Sequence, residues 1–418
     1  MTDRLCIDVR SEVGRLRAVV LHRPGPEVQQ MTPSTAQRAL YSDILNLPVA
    51  EQEYDQLQGV LERWTRTFQL KDLLAEILAD QPVKTALLQR ICEREDVLDL
   101  VPRLAAQDPR TLAATLIEGM PLVRDNLTRF LSQDRFSLPP LHNFFFMRDA
   151  AAAIGGQVLI GRMANPVRER EALIMEAIFD AHPGFAAETV NPLRRGHDHP
   201  AVTIEGGDVL VARDDVLLVG IGQRTSSQAV DFLLEQLKLR PGVRHVLVQE
   251  LPREPESFIH LDMVFTLLDR DACMVYAPLV TEHNHHETVH IEITDGEIAR
   301  IREVDNLLAG LRDLGLDLEP VVCGGDDRWA QEREQWHSGT NFFALAPGKV
   351  IGYARNQHTL AELSRHGFAI VTADQVIAGE VDLERIGRCV VTVAGSELAR
   401  GGGGCRCMTF PVAREPLD

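Results

Sequence analysis

The chain has 418 residues, of which 45% are hydrophobic and 25% charged, proportions that are typical of a globular protein with a substantial core. Its formal net charge of −18 at pH 7 argues against a nucleic-acid partner and favours small cationic ligands. The sequence has neither a run of about 18 apolar residues, as a membrane span requires, nor the apolar N-terminal segment of a signal peptide, so we expect a cytoplasmic protein whose seven cysteines are reduced thiols.

The N-terminal part of the chain predicts a strand at 16–22, which Arg23–Pro26 ends, and a helical region that begins near Glu51. From residue 70 onward, apolar side chains recur with the i, i+3, i+4, i+7 spacing of a helix face. These side chains are Leu70, Leu73, Leu74, Ile77, Leu78, Leu112, Leu116, Val123, Leu127, Phe130 and Leu131. We therefore predict an inserted, all-helical small domain at 70–136, and a larger α/β domain formed by 1–69 and 137–418.

After the helical block, a unit of two strands, a helix and a returning strand recurs roughly every 50 to 60 residues. The predicted strands are 143–149, 157–162, 202–212, 216–222, 243–251, 263–268, 273–280, 321–323, 342–345, 350–353 and 369–372, and the predicted helices are 169–181, 226–239, 306–314 and 359–366. With the N-terminal strand and helix, five units result. They predict an α/β fold in which five blades surround a pseudo-fivefold axis, that is, a five-bladed propeller.

A doubly wound sheet is the alternative fold. It would place a glycine fingerprint directly after the first strand. Pro24-Gly25-Pro26 stands there and does not fit such a fingerprint.

Acidic motifs stand at comparable positions near the start of successive units. They are Phe146-Met147-Arg148-Asp149, Glu205-Gly206-Gly207-Asp208 and His260-Leu261-Asp262. Because the starts of blades face the central cavity of a radial fold, we expect these motifs to meet there. Each motif also has a structural interpretation: a surface Arg–Asp pair, a hairpin turn, or a satisfied His–Asp pair.

Four consecutive glycines, Gly401–Gly404, precede two cysteines near the C-terminus, Cys405 and Cys407. Glycine loses the most backbone freedom on ordering, so such a run is expected where the backbone bends sharply or approaches another group closely. We predict that Cys407 is a nucleophile at the tip of a mobile loop. The alternative is a flexible tail with two incidental cysteines.

The combination of clustered carboxylates and a cysteine indicates chemistry on a planar cation. Carboxylates that share a cavity repel one another, and a guanidinium, which pairs with carboxylates through its edges, relieves that repulsion. The carboxylates should keep Cys407 mostly as the thiol until the cationic substrate favours the thiolate. Thiolate attack on the guanidinium carbon, departure of ammonia with a proton from His260, and hydrolysis of the adduct would complete a deimination.

These motifs together resemble the arginine deiminase family of the guanidine-modifying superfamily. The resemblance extends over nearly the whole chain and also includes Ser11–Arg17, Met31–Ser34, Leu138–Leu141, Ala330–Trp336 and Pro411–Leu417. It implies a five-bladed α/β propeller with a helical insertion, a homo-oligomer, and hydrolysis of L-arginine to L-citrulline and ammonia.

The resemblance also implies roles for individual residues. Cys407 is the nucleophile and His260 the general acid and base, while Glu205 supports both the histidine and the substrate. Asp149 and Asp262 hold the guanidinium. The α-carboxylate and α-amino groups of arginine are bound by residues that match Asn143, Phe146, Arg168 and Arg224.

The glycine-rich segment departs from the family pattern. Gly402 stands five residues before the cysteine, where the family usually has an arginine, and the nearest upstream arginine is Arg400. Arg406 stands where many relatives have histidine. Either Arg400 contacts the substrate from its shifted position, or this glycine-rich segment closes over the site less tightly than in relatives.

Three other functions remain open at this point. A deiminase for agmatine would leave Arg168 and Arg224 without a carboxylate, and a deiminase for methylated arginine would share the same site. An amidinotransferase would pass the amidino group to an amine and not to water. A non-catalytic guanidine-binding protein would not need all five catalytic positions.

We expect the protein to require neither a metal ion nor another cofactor. The segment His283–His290 is rich in histidine, but its spacing matches no known zinc site. We expect a solvated loop there.

Overall fold

The computed structural model describes residues 4–36, 41, 43–195 and 199–417. The strands, in chain order, are β1 Leu5–Cys6, β2 Leu16–Leu21, β3 Arg66–Gln69, β4 Met120–Pro121, β5 Phe136–Leu138, β6 Ala151–Ile154, β7 Gln157–Ile160, β8 Phe185–Ala186, β9 Glu188–Val190, β10 Val209–Arg213, β11 Val216–Ile221, β12 Arg244–Glu250, β13 Phe265–Leu267, β14 Ala272–Val275, β15 Thr288–Thr294, β16 Glu297–Val304, β17 Glu319–Val322, β18 Phe343–Ala346, β19 Lys349–Tyr353, β20 Ala369–Thr372, β21 Cys389–Val393 and β22 Phe410–Arg414. The helices are α1 Pro26–Gln29, α2 Pro33–Ala36, α3 Leu47–Trp64, α4 Leu70–Ile77, α5 Gln81–Arg94, α6 Val101–Ala105, α7 Pro109–Glu118, α8 Leu127–Leu131, α9 Glu169–Ala181, α10 Ser227–Lys238, α11 Ala277–Val280, α12 Leu307–Asp313, α13 Arg328–Trp336, α14 Gln357–Arg365 and α15 Ala373–Ile377.

The same strand pattern recurs in five sheets. In each, a first strand pairs antiparallel with a second, and the second pairs parallel with a third that follows a helical segment. These trios are β6-β7-β9, β10-β11-β12, β13-β14-β17, β18-β19-β21 and β22-β2-β3. The last trio joins the two ends of the chain, because Val20 in β2 lies opposite Phe410 in β22. The predicted mixed α/β class is confirmed.

The central strands are mostly apolar because they are covered on both faces. All of β14 and nearly all of β19 are buried, and Val350 and Ile351 have no exposed surface. The covering helices are amphipathic: α10 buries Phe232 and Leu237. Its first turn is capped by the Ser226 hydroxyl, which accepts a hydrogen bond from the Ala229 amide at 3.2 Å.

Two predicted first strands begin later than expected. Residues 143–149 form consecutive turns, in which the Phe146 amide donates to the Asn143 carbonyl at 2.9 Å, and the strand starts at Ala151. Likewise, Gly206–Asp208 is a 3-10 turn that precedes β10. The apolar residues at 144–147 do not alternate with polar residues, so their pattern does not distinguish a buried strand from a buried turn. The acidic motifs therefore lie in the turns that precede the first strands.

The helical block at 70–136 contains α4 to α8, but it is not all-helical, since β4 and β5 form a two-stranded ribbon at its end. The apolar spacing at 127–131 was also misleading. Leu127, Phe130 and Leu131 in α8 are exposed and do not pack into the core. By contrast, the apolar side chains of α4, α5 and α7 share one core with α9 and β2.

The predicted loop at His283–His290 is correct only as far as Glu287. Thr288 begins β15, whose hairpin with β16 extends the edge of β12. His290 is therefore a buried strand residue, and its Nε2 lies 3.1 Å from Nδ1 of His245. Sequence analysis did not predict β21. This strand lies between β19 and the predicted strand β20 and pairs with both.

Among the described residues, none of the helices combines the length and the apolar composition that crossing a bilayer requires.

Candidate active site

The turns that precede the first strands meet at one place, and hydrogen bonds join them directly. The Gly206 amide donates to the Asp149 carbonyl at 3.0 Å, and the Leu261 amide donates to Asp208 Oδ1 at 2.8 Å. The Arg148 amide donates to the Cys407 carbonyl at 3.1 Å. The structure thus brings together the five predicted catalytic residues Asp149, Glu205, His260, Asp262 and Cys407.

The Glu205–Asp208 motif is a contact surface for His260 and not a hairpin turn. A Cβ atom on Gly207 would lie 2.6 Å from the ring of His260, so only glycine allows this approach. His260 Nε2 lies 2.9 Å from Glu205 Oε2, and its Nδ1 lies 3.5 Å from Asp149 Oδ1. Both ring nitrogens therefore face a carboxylate.

These contacts determine the charges of His260 and Glu205. Burial alone would lower the pKa of His260, but the charge of Asp149 and the hydrogen bond to Glu205 raise it to about 9. Burial would raise the pKa of Glu205, yet the charge of Arg224 and the hydrogen bond with His260 outweigh it and lower the pKa. At neutral pH the imidazole is therefore protonated between two carboxylates.

The thiol of Cys407 lies beside the acids. Its Sγ is 3.8 Å from Asp262 Oδ2, and its side chain is buried. Burial, and then the charges of Asp262 and Asp149, raise the pKa of the thiol well above its usual range. This agrees with the expectation that the free site holds a thiol and not a thiolate.

The expected loop-tip position of Cys407 is wrong, because the segment is buried and held from two sides. Asn341 Oδ1 accepts hydrogen bonds from the amides of Arg406, at 2.9 Å, and of Cys407, at 3.3 Å. Arg148 holds the opposite side through the carbonyls of both residues. The nucleophile is therefore fixed by its neighbours.

The glycines before the cysteines serve a close approach and a sharp bend, as predicted. Gly402 has a φ of 86°, in the left-handed region that favours glycine. A Cβ atom on Gly403 would lie 2.5 Å from the ring of Phe146. Phe146 thus packs against the glycine segment.

Asp149 and Asp262 are each held by one arginine through one oxygen. Arg168 Nη1 donates to Asp149 Oδ2 at 2.6 Å, and Arg406 Nη1 donates to Asp262 Oδ2 at 2.8 Å. The other oxygen of each acid, Oδ1, is buried and has no hydrogen-bond partner among the residues that the structure describes. Asp149 Oδ1 instead faces Nδ1 of His260 at 3.5 Å, so Oδ1 of Asp262 is the less engaged of the two oxygens.

Arg224 and Arg400 are among the residues that line a cavity of about 280 Å³, whereas the five predicted catalytic residues are not. Arg224 Nη1 is 3.7 Å from Glu205 Oε1, so this arginine links the cavity to the acids below. Arg400 lies farther out, where its guanidinium binds Asp43 and Glu397.

The other predicted substrate-binding residues are close to the acids. Arg168 is buried, and besides Asp149 it binds Glu171 and the backbone carbonyls of Asn143, at 3.4 Å, and Phe146, at 2.9 Å. Burial raises the pKa of Glu171 to about 7 despite this contact with Arg168. In this conformation the Arg168 guanidinium is directed at the acids.

The family model of arginine deiminase matches residues 37–414. A relative named arginine deiminase from Bacillus cereus strain B4264 is 34% identical over 433 residues, with 98% of this chain and 99% of the relative covered. The chain belongs to the arginine deiminase family. Another relative of that name, from Levilactobacillus brevis, is also 34% identical, with the same coverage.

Solved structures resemble the chain in fold. The N-terminal domain of ArgZ, an arginine dihydrolase from the ornithine–ammonia cycle in cyanobacteria, has a TM-score of 0.53 at 13% identity and covers 96% of this chain and 99% of that domain. SxtG, an amidinotransferase from Microseira wollei in the saxitoxin biosynthetic pathway, has a TM-score of 0.55 at 12% identity and covers 98% of both chains.

One group of site residues in this member of the arginine deiminase family also has the spacing of a metal site. Ligand atoms of Asp149, Glu205 and His260 lie within 4.8 Å of one another. However, Arg168 and Arg224 already lie against two of these carboxylates, so the protein itself supplies positive charge there. The geometry fits a hydrogen-bonded triad better.

Sequence reasoning missed Asn341 and did not assign a role to Glu12 or Arg406 within the site. A signal for Asn341 was present. The first strand of each sheet is preceded within four residues by a site residue, and Asn341 stands in that position before β18. Asp149, Glu205, Asp262 and Cys407 hold the equivalent positions in the other four sheets.

Proposed function

We propose that the protein hydrolyses free L-arginine to L-citrulline and ammonia through a covalent thiouronium intermediate on Cys407. One observation carries the proposal. Two buried carboxylates, Asp149 and Asp262, lie with a buried thiol and a protonated histidine, and one oxygen of each acid accepts no hydrogen bond from the described residues. A planar cation with several N–H donors complements that arrangement.

In the first half-reaction, the substrate guanidinium binds between the carboxylates of the two acids. Its positive charge offsets the carboxylates that keep Cys407 protonated, so the thiolate forms on binding and its proton passes to water. The sulfur then attacks the guanidinium carbon. His260 gives its proton to the departing nitrogen, and ammonia leaves.

In the second half-reaction, the neutral imidazole of His260 removes a proton from water, and the resulting hydroxide attacks the thiouronium carbon. Collapse of the adduct breaks the C–S bond, which releases citrulline and restores the thiolate. Glu205 supports this exchange because its hydrogen bond orients the imidazole and stabilises its charged form.

The cavity lined by Arg224, which contacts Glu205, supports an amino acid as the substrate. Arg224 has a fork of donors that suits an α-carboxylate, and Arg400 adds a second positive charge at the wall. For the acids to receive a substrate, Arg168 must exchange its contact with Asp149 for one with that carboxylate. Asn143 and Phe146 would then bound the α-amino end.

We further propose that the five sheets are the blades of a propeller around a pseudo-fivefold axis. This is supported by their common strand order and by the site residues that precede each first strand. In the same scheme, 70–136 is a helical insertion in the domain formed by 1–69 and 137–418.

The test is a panel of guanidines, with products identified by mass spectrometry. Citrulline and ammonia from arginine would support the proposal. Ornithine, formed with transfer of the amidino group to glycine or lysine, would replace it with an amidinotransferase. Turnover of agmatine in preference to arginine would contradict the role given to the cavity arginines. Binding of arginine without any product would indicate a guanidine-binding protein.

A further inference from the structure

Arg406, the residue directly before the nucleophile, is among the largest fully buried side chains of the protein. A buried guanidinium is strongly unfavourable unless its charge and its donors are satisfied. Arg406 meets this requirement with carboxylates on two sides. Its position next to Cys407 and its contact with Asp262 connect the two groups that the reaction must bring together.

The contacts of Arg406 use most of its donors. Its Nε and Nη2 bind the two oxygens of Glu12, each at 3.0 Å, in a bidentate pair. Its Nη1 donates to Asp262 Oδ2 at 2.8 Å, and Nη2 also donates to the Val209 carbonyl at 2.9 Å. The pair with Glu12 prevents the guanidinium from rotating, so the direction of Nη1 is fixed.

Other charged groups face the same cluster. Arg148 and Arg414 contribute two more buried guanidinium groups, and both lie near enough to Glu12 to affect its ionisation. Burial would raise the pKa of Glu12, but the charge and hydrogen bonds of Arg406 hold it at about 2. Glu12 is therefore an ionised anchor for Arg406 throughout the neutral range.

The fixed guanidinium determines how Asp262 is presented. Because Oδ2 is bound by Arg406, the carboxylate is held by one oxygen, and Oδ1 is the oxygen left without a hydrogen-bond partner. The backbone of Arg406 is meanwhile held by Asn341 together with that of Cys407. One residue thus sets the position of the sulfur and of the acid with respect to each other.

We propose that Arg406 is a positioning residue, which fixes the carboxylate of Asp262 beside the thiol of Cys407 for recognition of a guanidinium or amidinium group. The inference rests on the function proposed above, and it concerns how the site selects a planar cation. Lysine cannot replace Arg406 in this role, because a single ammonium does not reproduce the fork that engages Glu12 and Asp262 together.

The test compares two alkylating reagents, 2-chloroacetamidine and neutral 2-chloroacetamide. With either reagent, the sulfur of Cys407 forms a bond to the methylene carbon and chloride leaves. The amidinium reagent is in addition recognised by the acids. The ratio of the two alkylation rates, with Cys407 modification followed by mass spectrometry, therefore measures cation recognition independently of arginine turnover.

The variants are Arg406→Met and Arg406→Lys, with Arg414→Met as the matched control. Arg414 is a buried arginine of the same cluster, but it donates to the Gly14 carbonyl at 2.7 Å and packs over Phe343, away from the thiol. We expect both Arg406 variants to lower the ratio about 10- to 100-fold, as for loss of a charged hydrogen bond, and to lower kcat for arginine. Arg414→Met should reduce thermal stability and leave the ratio within about twofold of wild type.

A folded Arg406 variant with the wild-type ratio would overturn the proposal, as would an equal loss of the ratio in Arg414→Met. If Arg406→Met does not fold, Arg406→Lys, which keeps the charge, decides the question by the same measurement. Absence of citrulline production by the wild-type protein would overturn the proposed function, whereas the ratio would still report on Arg406.

Discussion

The floor and the mouth of the candidate site carry opposite charges and differ in how firmly those charges are held. On the floor, the side chains of Asp149, Glu205, His260 and Asp262 are at most 5% exposed, and Cys407 is buried. At the mouth, the Arg224 side chain is 14% exposed and that of Arg400 is 38% exposed. Charges on the floor interact strongly because water is excluded, whereas charges at the mouth are screened. Under the proposed function, we therefore expect substitutions on the floor to affect the reaction most and substitutions at the mouth to affect substrate choice.

The largest expected effect is on the floor. Cys407→Ser should reduce kcat for arginine by at least about 10³-fold, since the hydroxyl is a far weaker nucleophile and the residues of such a site act as a unit. Steady-state ammonia release measures the loss. Cys405→Ser, two residues away, is the matched control and should retain activity. Full turnover by Cys407→Ser would remove the basis for covalent catalysis.

The next effect concerns the charge of His260. Because its pKa is raised from 6.5 to about 9, the charged ring stabilises the folded state fully below pH 6.5, and this contribution disappears as the pH rises through 9. The free energy of unfolding should fall by about 3 kcal/mol over that interval from this group. Denaturant titrations of wild type and His260→Gln measure the difference. An identical pH dependence in the two proteins would show that His260 is neutral in the fold.

At the mouth, Arg224→Met should lower kcat/KM for arginine about 10- to 100-fold and change that for agmatine much less, because agmatine has no carboxylate to lose a charged hydrogen bond. Arg224→Lys keeps a positive charge near Glu205 but loses the paired N–H donors of the guanidinium. It therefore distinguishes the effect of the charge from that of the paired donors. The two substrates are compared in one assay. Equal losses for arginine and agmatine would assign Arg224 to the floor and not to carboxylate recognition.

The smallest effect is expected at Arg400. Its guanidinium is partly exposed and is bound to Asp43 and Glu397, and ion pairs of this kind contribute little. Arg400→Met should therefore change KM for arginine by about threefold or less. A tenfold or larger increase in KM would mean that Arg400 leaves these partners and contacts the substrate.

The sequence predicted the site better than it predicted the edges of the strands around it. Asp149, Glu205, His260 and Asp262 were found because they recur at equivalent places in repeated units, and a repeat is visible without coordinates. The strand at 143–149 was placed too early because a buried apolar turn resembles a buried strand in composition. The hairpin of β15 and β16 was missed although Asp295-Gly296 between them is a local turn signal, whereas β21 pairs with strands that lie well before it in the chain.

The sequence by itself determined the mixed α/β class, the recurring unit and the chemical groups of the site, since these depend on local patterning and on residue type. Only the tertiary structure decided that Asn341 and Arg148 hold the nucleophile and that Arg406 connects Cys407 to Asp262. Those contacts join residues 65 to 259 positions apart in the chain, and no local spacing encodes them. The geometry of these contacts follows from the packing of the sheets. That packing determines which buried charged groups lie together without contact with water.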